Sequence, residues 1–128
     1  MTRTPLHAAD APEPVGPYSQ AVVVEGGPVY LSGQTPIDPT TGRLVDGDLT
    51  AQVQQVFTNL ERVLAAGDLT FADVVKVNVF LVDMADFTAM NAVYASVFDA
   101  PYPARTTVAV AGLPLGARVE IELVALRA

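Results

Sequence analysis

A chain of 128 residues with no cysteine, a single histidine and a net charge of −7 has room for one core, and it excludes disulfide and thiol chemistry. His7 without any cysteine makes a zinc site a poor prospect, and the acidic balance argues against nucleic acid, whose phosphates require a surplus of Lys and Arg. Half the residues are apolar and the mean hydropathy is +0.36, high enough to suggest surface buried against another subunit.

Residues 1–14 are polar and proline-rich and read as a loosely held segment, with His7 exposed. They lack the apolar stretch of a secretory signal, and no apolar run along the chain approaches a membrane span, so the cytoplasm is the expected compartment. Ala21–Val24 and Val29–Leu31 read as strands joined by a hairpin turn at Glu25-Gly26-Gly27-Pro28. Prolines and glycines between Thr35 and Gly47 predict a surface loop. Its Asp38, Asp46 and Asp48 have the wrong spacing for a calcium loop.

Helical spacing of Val53, Val56, Phe57, Leu60, Val63 and Leu64 predicts a helix over 51–66, capped by Asp48 or Thr50 and closed by Gly67. A strand is expected at Val74–Val82. A second helix begins at Asp83 or Asp86 and runs to about Phe98, with Phe87, Met90, Tyr94 and Val97 on one stripe before Pro101 and Pro103. Arg105–Ala111 and Arg118–Leu126 complete the order β-β-α-β-α-β-β, an α+β fold with both helices on one face of a mixed sheet. The strand 74–82 alternates Val75, Val77, Val79 and Leu81 with Val74, Phe80 and Val82. A strand apolar on both sides needs a cover for each, and either a symmetric oligomer supplies the second or Phe80 and Val82 merely sit at the end of the sheet.

If the last two strands form an antiparallel hairpin, Arg105 faces Glu122, Thr107 faces Glu120 and Ala109 faces Arg118, which puts Arg105, Thr107, Glu120 and Glu122 on one face. That set is either a solvated ladder of cross-strand ion pairs or a site in which Arg105 grips a substrate carboxylate beside a water-holding Glu120. Tyr18 in Gly16-Pro17-Tyr18-Ser19-Gln20, Ser32 and Gly33 in Ser32-Gly33-Gln34, and Asn91 on the second helix are either turn and helix-flank chemistry or pocket lining. No phosphate loop, dinucleotide fingerprint, Ser-His-Asp set or metal-ligand cluster accompanies them.

GPYSQA (16–21), SGQ (32–34), VFLVDMADFTAMNAVYASVF (79–98) and PARTTVAVAGLPLGARVEIELVA (103–125) resemble the Rid family of imine deaminases, also called the YjgF/YER057c/UK114 family, from about Pro14 to Leu126. The resemblance implies one chorismate-mutase-like domain over 1–128, homotrimers with sites between subunits, and hydrolysis of 2-iminobutanoate and 2-iminopropanoate to 2-oxo acids and ammonia without a cofactor. It further implies that Arg105 binds the carboxylate, Glu120 orients water, and Tyr18 and the backbone of Gly33 line the site, beside which Ser32 and Asn91 stand as candidates read from the residues themselves. Arg105 and Glu120 are then expected from one chain, with Tyr18 or Asn91 from the next. Thr107 stands where many RidA-type members carry cysteine, a position that the family uses mainly through its backbone. A non-enzymatic trimer that senses small 2-oxo or amino acids through Arg105 is the alternative.

Overall fold

The structure is a computed structural model and describes residues 3–127. Its centre is a six-stranded mixed sheet in the order β1-β2-β3-β8-β6-β7, formed by β1 (Arg3–Leu6), β2 (Ala21–Val24), β3 (Pro28–Gln34), β6 (Val74–Leu81), β7 (Ala104–Ala109) and β8 (Val119–Leu126). A second small ladder pairs β4 (Ile37–Asp38) with β5 (Arg43–Leu44) inside the expected surface loop. Helices α1 (Leu49–Ala66) and α2 (Phe87–Val97) pack on one face of the large sheet, so the α+β class and the placement of the helices hold.

Local chemistry accounts for the helix ends. The Asp48 carboxylate accepts from the Ala51 N–H at 3.0 Å, and Gly67 closes α1 through its N–H to the Leu64 carbonyl. At the second helix Asp83 caps the short turn that precedes it, by accepting from the Ala85 N–H. Asp86 makes no cap bond and instead accepts from Arg118 Nη2 at 2.9 Å, tying the start of α2 to the start of β8. Val53, Val56, Leu60, Val63 and Leu64 of α1 bury against Val77, Val79, Leu81, Ile121 and Leu123 of the sheet. Phe57, Phe71, Tyr94 and Phe98 form an aromatic cluster between the helices, with Tyr94 and Phe98 centroids 4.6 Å apart.

Three expectations need correction. Residues 3–14 are not loosely held: β1 pairs with β2, and the buried Gln20 side chain accepts from the Ala8 N–H and donates to the Ala8 and Pro12 carbonyls. A bulge between Val74 and Lys76 turns Val74 into the core and leaves Val75 exposed, the reverse of their simple alternation. Phe80 and Val82 do fall on the face opposite Val77 and Leu81.

The third correction concerns the last two strands. They are not a hairpin, because β6 lies between them: β7 runs parallel to β6 on one side and β8 antiparallel to it on the other. The parallel pair is joined through α2, the kind of crossover that parallel strands require. The ladder hydrogen bonds continue past the strand ends, from Val110 N–H to the Leu81 carbonyl and from Val82 N–H to the Arg118 carbonyl.

Candidate functional site

The strand order separates the residues that the hairpin would have joined. Arg105 and Thr107 are level with Val77 and Val79, whose partners on β8 are Leu123 and Ile121; these share the helix-covered face. Glu120 is level with Phe80, and Glu122 with Asn78, on the open face. Arg105 and Glu120 of one chain therefore lie on opposite faces of the sheet, and the expected Arg105–Glu122 and Thr107–Glu120 pairs do not form. The cross-strand ion-pair ladder is removed by the same geometry.

Arg105 is positioned by α2. Its Nη1 donates to Asn91 Oδ1 at 2.8 Å, and its Cζ lies 4.5 Å from the Tyr94 ring centroid and 5.5 Å from that of Phe87. Asn91 and Tyr94 are three residues apart and so project from the same side of the helix. The Tyr94 ring is itself fixed by Phe57 and Phe98, which makes the platform under the guanidinium rigid. Among the described residues no carboxylate forms an ion pair with Arg105. The guanidinium borders an open cavity of about 460 Å³ with Asn91, Tyr94, Tyr102 and Pro103. Two buried hydroxyls on this side, Tyr94 Oη and Thr107 Oγ1, have no hydrogen-bond partner. Burial raises the pKa of Tyr94, an effect that the Arg105 charge partly opposes, so its hydroxyl stays protonated as a donor.

Glu120 is positioned by β3. A bulge between Leu31 and Gln34 interrupts the β3–β8 ladder at Ser32 and Gly33. The Glu120 carboxylate packs over Gly33 so closely that a Cβ there would overlap it; only glycine lets the backbone come this near. Ser32 donates its hydroxyl to the Ser19 carbonyl at 2.6 Å, and its N–H bonds the Gln20 carbonyl, which holds the Tyr18 segment beside the bulge. Tyr18 is half-exposed, and its hydroxyl accepts from the Val15 N–H at 3.3 Å. Asn59 of α1 donates to the Thr35 and Ile37 carbonyls, pinning the other rim. Tyr18, Ser32, Gly33 and Glu120 thus surround a cavity of about 300 Å³. Burial first, and the neighbouring Glu122 charge second, push the Glu120 carboxyl above the usual glutamate range, toward a proton-exchanging role.

The candidates therefore sort into two half-sites: Arg105, Asn91 and Thr107 on one, Glu120, Gly33, Ser32 and Tyr18 on the other. Arg105 and Glu120 do not form one constellation within a chain, and Tyr18 and Asn91 do not belong together. Sequence reasoning missed the guanidinium platform of Tyr94 and Phe87, although the Asn91–Tyr94 spacing on a helix signals it. It also missed Val15, Ile37, Pro114 and Leu115 around the Glu120 cavity, for which no local signal exists.

Residues 8–127 match the family described as endoribonuclease L-PSP. The 2-iminobutanoate/2-iminopropanoate deaminase of Dermatophagoides farinae is 50% identical over 93% of this chain and 89% of its own length. Protein DfrA of Myxococcus xanthus is 48% identical over 98% of this chain and 96% of its own. A crystal structure of RidA from a Psychrobacter species superposes with a TM-score of 0.92 at 44% identity, covering 97% of this chain and 99% of that one.

Proposed function

Because the chain belongs to the endoribonuclease L-PSP family, the Rid or YjgF family, we propose that it is an imine deaminase that hydrolyses 2-iminobutanoate and 2-iminopropanoate to the 2-oxo acids and ammonia. The observation that carries this function is the division of chemistry between the half-sites: an arginine with no carboxylate partner on one, a carboxyl of raised pKa in a cavity on the other. Arg105 holds the substrate carboxylate with its planar fork, and the Tyr94 and Phe87 rings hold the fork in place. Glu120 accepts a proton from one water, whose oxygen bonds to the electrophilic imine carbon. Glu120 then returns that proton to the carbinolamine nitrogen, and the C–N bond breaks as the hydroxyl proton passes to the freed Glu120 carboxylate, leaving the 2-oxo acid and ammonia. The gain comes from positioning and proton transfer, with no strong nucleophile needed.

One copy cannot bring Arg105 and Glu120 onto the same substrate, so the site is shared, the arginine half of one subunit meeting the glutamate half of its neighbour. The uncovered sheet face, with Phe80, Val108, Tyr30 and Val124, is the surface on which copies assemble. The number of copies is three, as the resemblance implies, which gives an assembly of about 40 kDa from 13.4 kDa chains. A net charge of −7 suits neither an RNA backbone nor an anionic membrane, and among the described residues no helix is long and apolar enough to cross a membrane. We place the protein in the cytoplasm, the compartment expected from its sequence.

Generating 2-iminobutanoate in situ with threonine dehydratase and trapping it with semicarbazide tests the reaction. The protein is expected to lower the trapped yield in proportion to its concentration. Calorimetric binding of 2-oxobutanoate with an unchanged yield of trapped imine would make it a sensor instead, and neither effect would reject both functions. Sedimentation as a monomer with activity retained would reject the shared site.

A further inference from the structure

The apolar wall of the Glu120 cavity takes no part in gripping the carboxylate or moving the proton. Val15, Ile37, Pro114 and Leu115 form it. Leu115 has φ 61° and ψ 15°, the left-handed region that a glycine enters freely and a leucine enters only under strain. Leu115 is 61% exposed in its own chain, so contacts within the chain do little to offset that strain, and Val15 at the same cavity is 72% exposed. Two large apolar groups that their own chain leaves uncovered, at the mouth of a cavity shared with a neighbouring subunit, favour an apolar occupant. The cavity, about 300 Å³, begins the range that takes drug-sized ligands and exceeds what an ethyl group fills.

We propose that this cavity is a subsite for the side chain of the substrate, that it takes branched aliphatic 2-imino acids such as the imine of leucine, and that Leu115 is its specificity-determining wall. The proposal rests on the imine-hydrolysing function and narrows it to a substrate class. Each methylene buried against the wall raises kcat/KM about fourfold, so the two additional carbons of the leucine imine give a preference of about tenfold or more over 2-iminobutanoate.

The test generates both imines with an L-amino acid oxidase, from leucine and from 2-aminobutyrate, and compares wild type with Leu115→Gly by semicarbazide competition. Glycine accepts the backbone conformation, so this variant is expected to melt no lower than wild type. The tenfold preference is expected to fall to about threefold or less. An unchanged ratio overturns the proposal. So does an equal loss on both imines accompanied by slower sedimentation, which would assign Leu115 to a contact between subunits. If wild type hydrolyses neither imine, the proposed reaction fails but the subsite is still read by calorimetry. Tighter binding of 4-methyl-2-oxopentanoate than of 2-oxobutanoate, lost in Leu115→Gly, supports it; equal or absent binding overturns it.

Discussion

Arg105 rests on a ring 4.5 Å beneath it and donates to Asn91, whereas Glu120 leans on Gly33, where there is no side chain at all. The first group is positioned by what is present around it, the second by what has been left out. The arginine half draws on α2 and the aromatic core, so its geometry follows from packing. The glutamate half draws on a bulge, a tyrosine segment and a strained turn, so its geometry depends on backbone conformation. The two halves should therefore fail differently: the first by loss of binding, the second by loss of turnover.

Arg105→Ala is expected to give the largest effect. Two charge-assisted hydrogen bonds to a small substrate, each worth about 1.5–3 kcal/mol, correspond to a loss of about 10²–10⁴-fold in kcat/KM. Circular dichroism should show an intact fold, since β7 is an edge strand. Arg105→Lys should recover little, because an ammonium cannot form the planar fork. Full activity in the alanine variant would remove Arg105 from the site.

Glu120→Gln should lower kcat by about 10²-fold while leaving the binding of 2-oxobutanoate within a few-fold, the signature of a lost proton acceptor. The raised pKa sets two pH effects. Activity requires the carboxylate, so kcat should fall as pH drops through a midpoint above the ordinary glutamate range. Stability runs the other way. Between the unfolded and the folded pKa the native state holds more protons, so ionising Glu120 costs stability as pH rises through that window. Glu120→Gln should accordingly melt higher than wild type at neutral pH, with the gap closing in acid. A variant that melts lower at neutral pH would show that burial does not dominate at this carboxyl.

Gly33→Ala sharpens the contrast. The added Cβ overlaps the Glu120 carboxylate, and a displacement of about 1 Å is enough to lower kcat on the order of 10²-fold. Binding of 2-oxobutanoate, held by the opposite half, should change little. Equal losses in kcat and in affinity would mean that the halves are not independent. The smallest effect is expected from Thr107→Cys, within about twofold in kcat/KM, since it replaces one buried hydroxyl that has no partner, together with the γ-methyl, by a single thiol.

The helices and most strands were legible because each has its own periodicity: Val53 to Leu64 mark α1 by spacing alone, and Asp48 marks its start. The order of strands was not. Alternation fixes which residues of β7 or β8 share a face, but Gly112 to Gly116 between them imitates a hairpin turn, and nothing local records that β6 intervenes. For the same reason Arg105 and Glu120 could each be singled out while their placement on one face was wrong. Gln20 shows a second limit. A polar residue in a turn-like motif proved to be the buried clamp on Ala8 and Pro12, a role set by a segment that composition alone presents as loose. Leu115 shows a third, because a left-handed leucine is invisible until its dihedral angles are known.

The central position of β8 bears on how the protein is made. It follows every other element along the chain, yet lies between β3 and β6. A nascent chain that has not yet released Val119–Leu126 from the ribosome holds two unjoined pieces, a meander of β1 to β3 and the parallel pair of β6 and β7. Each exposes the strand edge that β8 will occupy, an edge open to pairing with other chains. Folding must therefore wait for the last strand, and ribosome-bound chains shortened before Val119 should remain open to protease long after α1 and α2 have emerged.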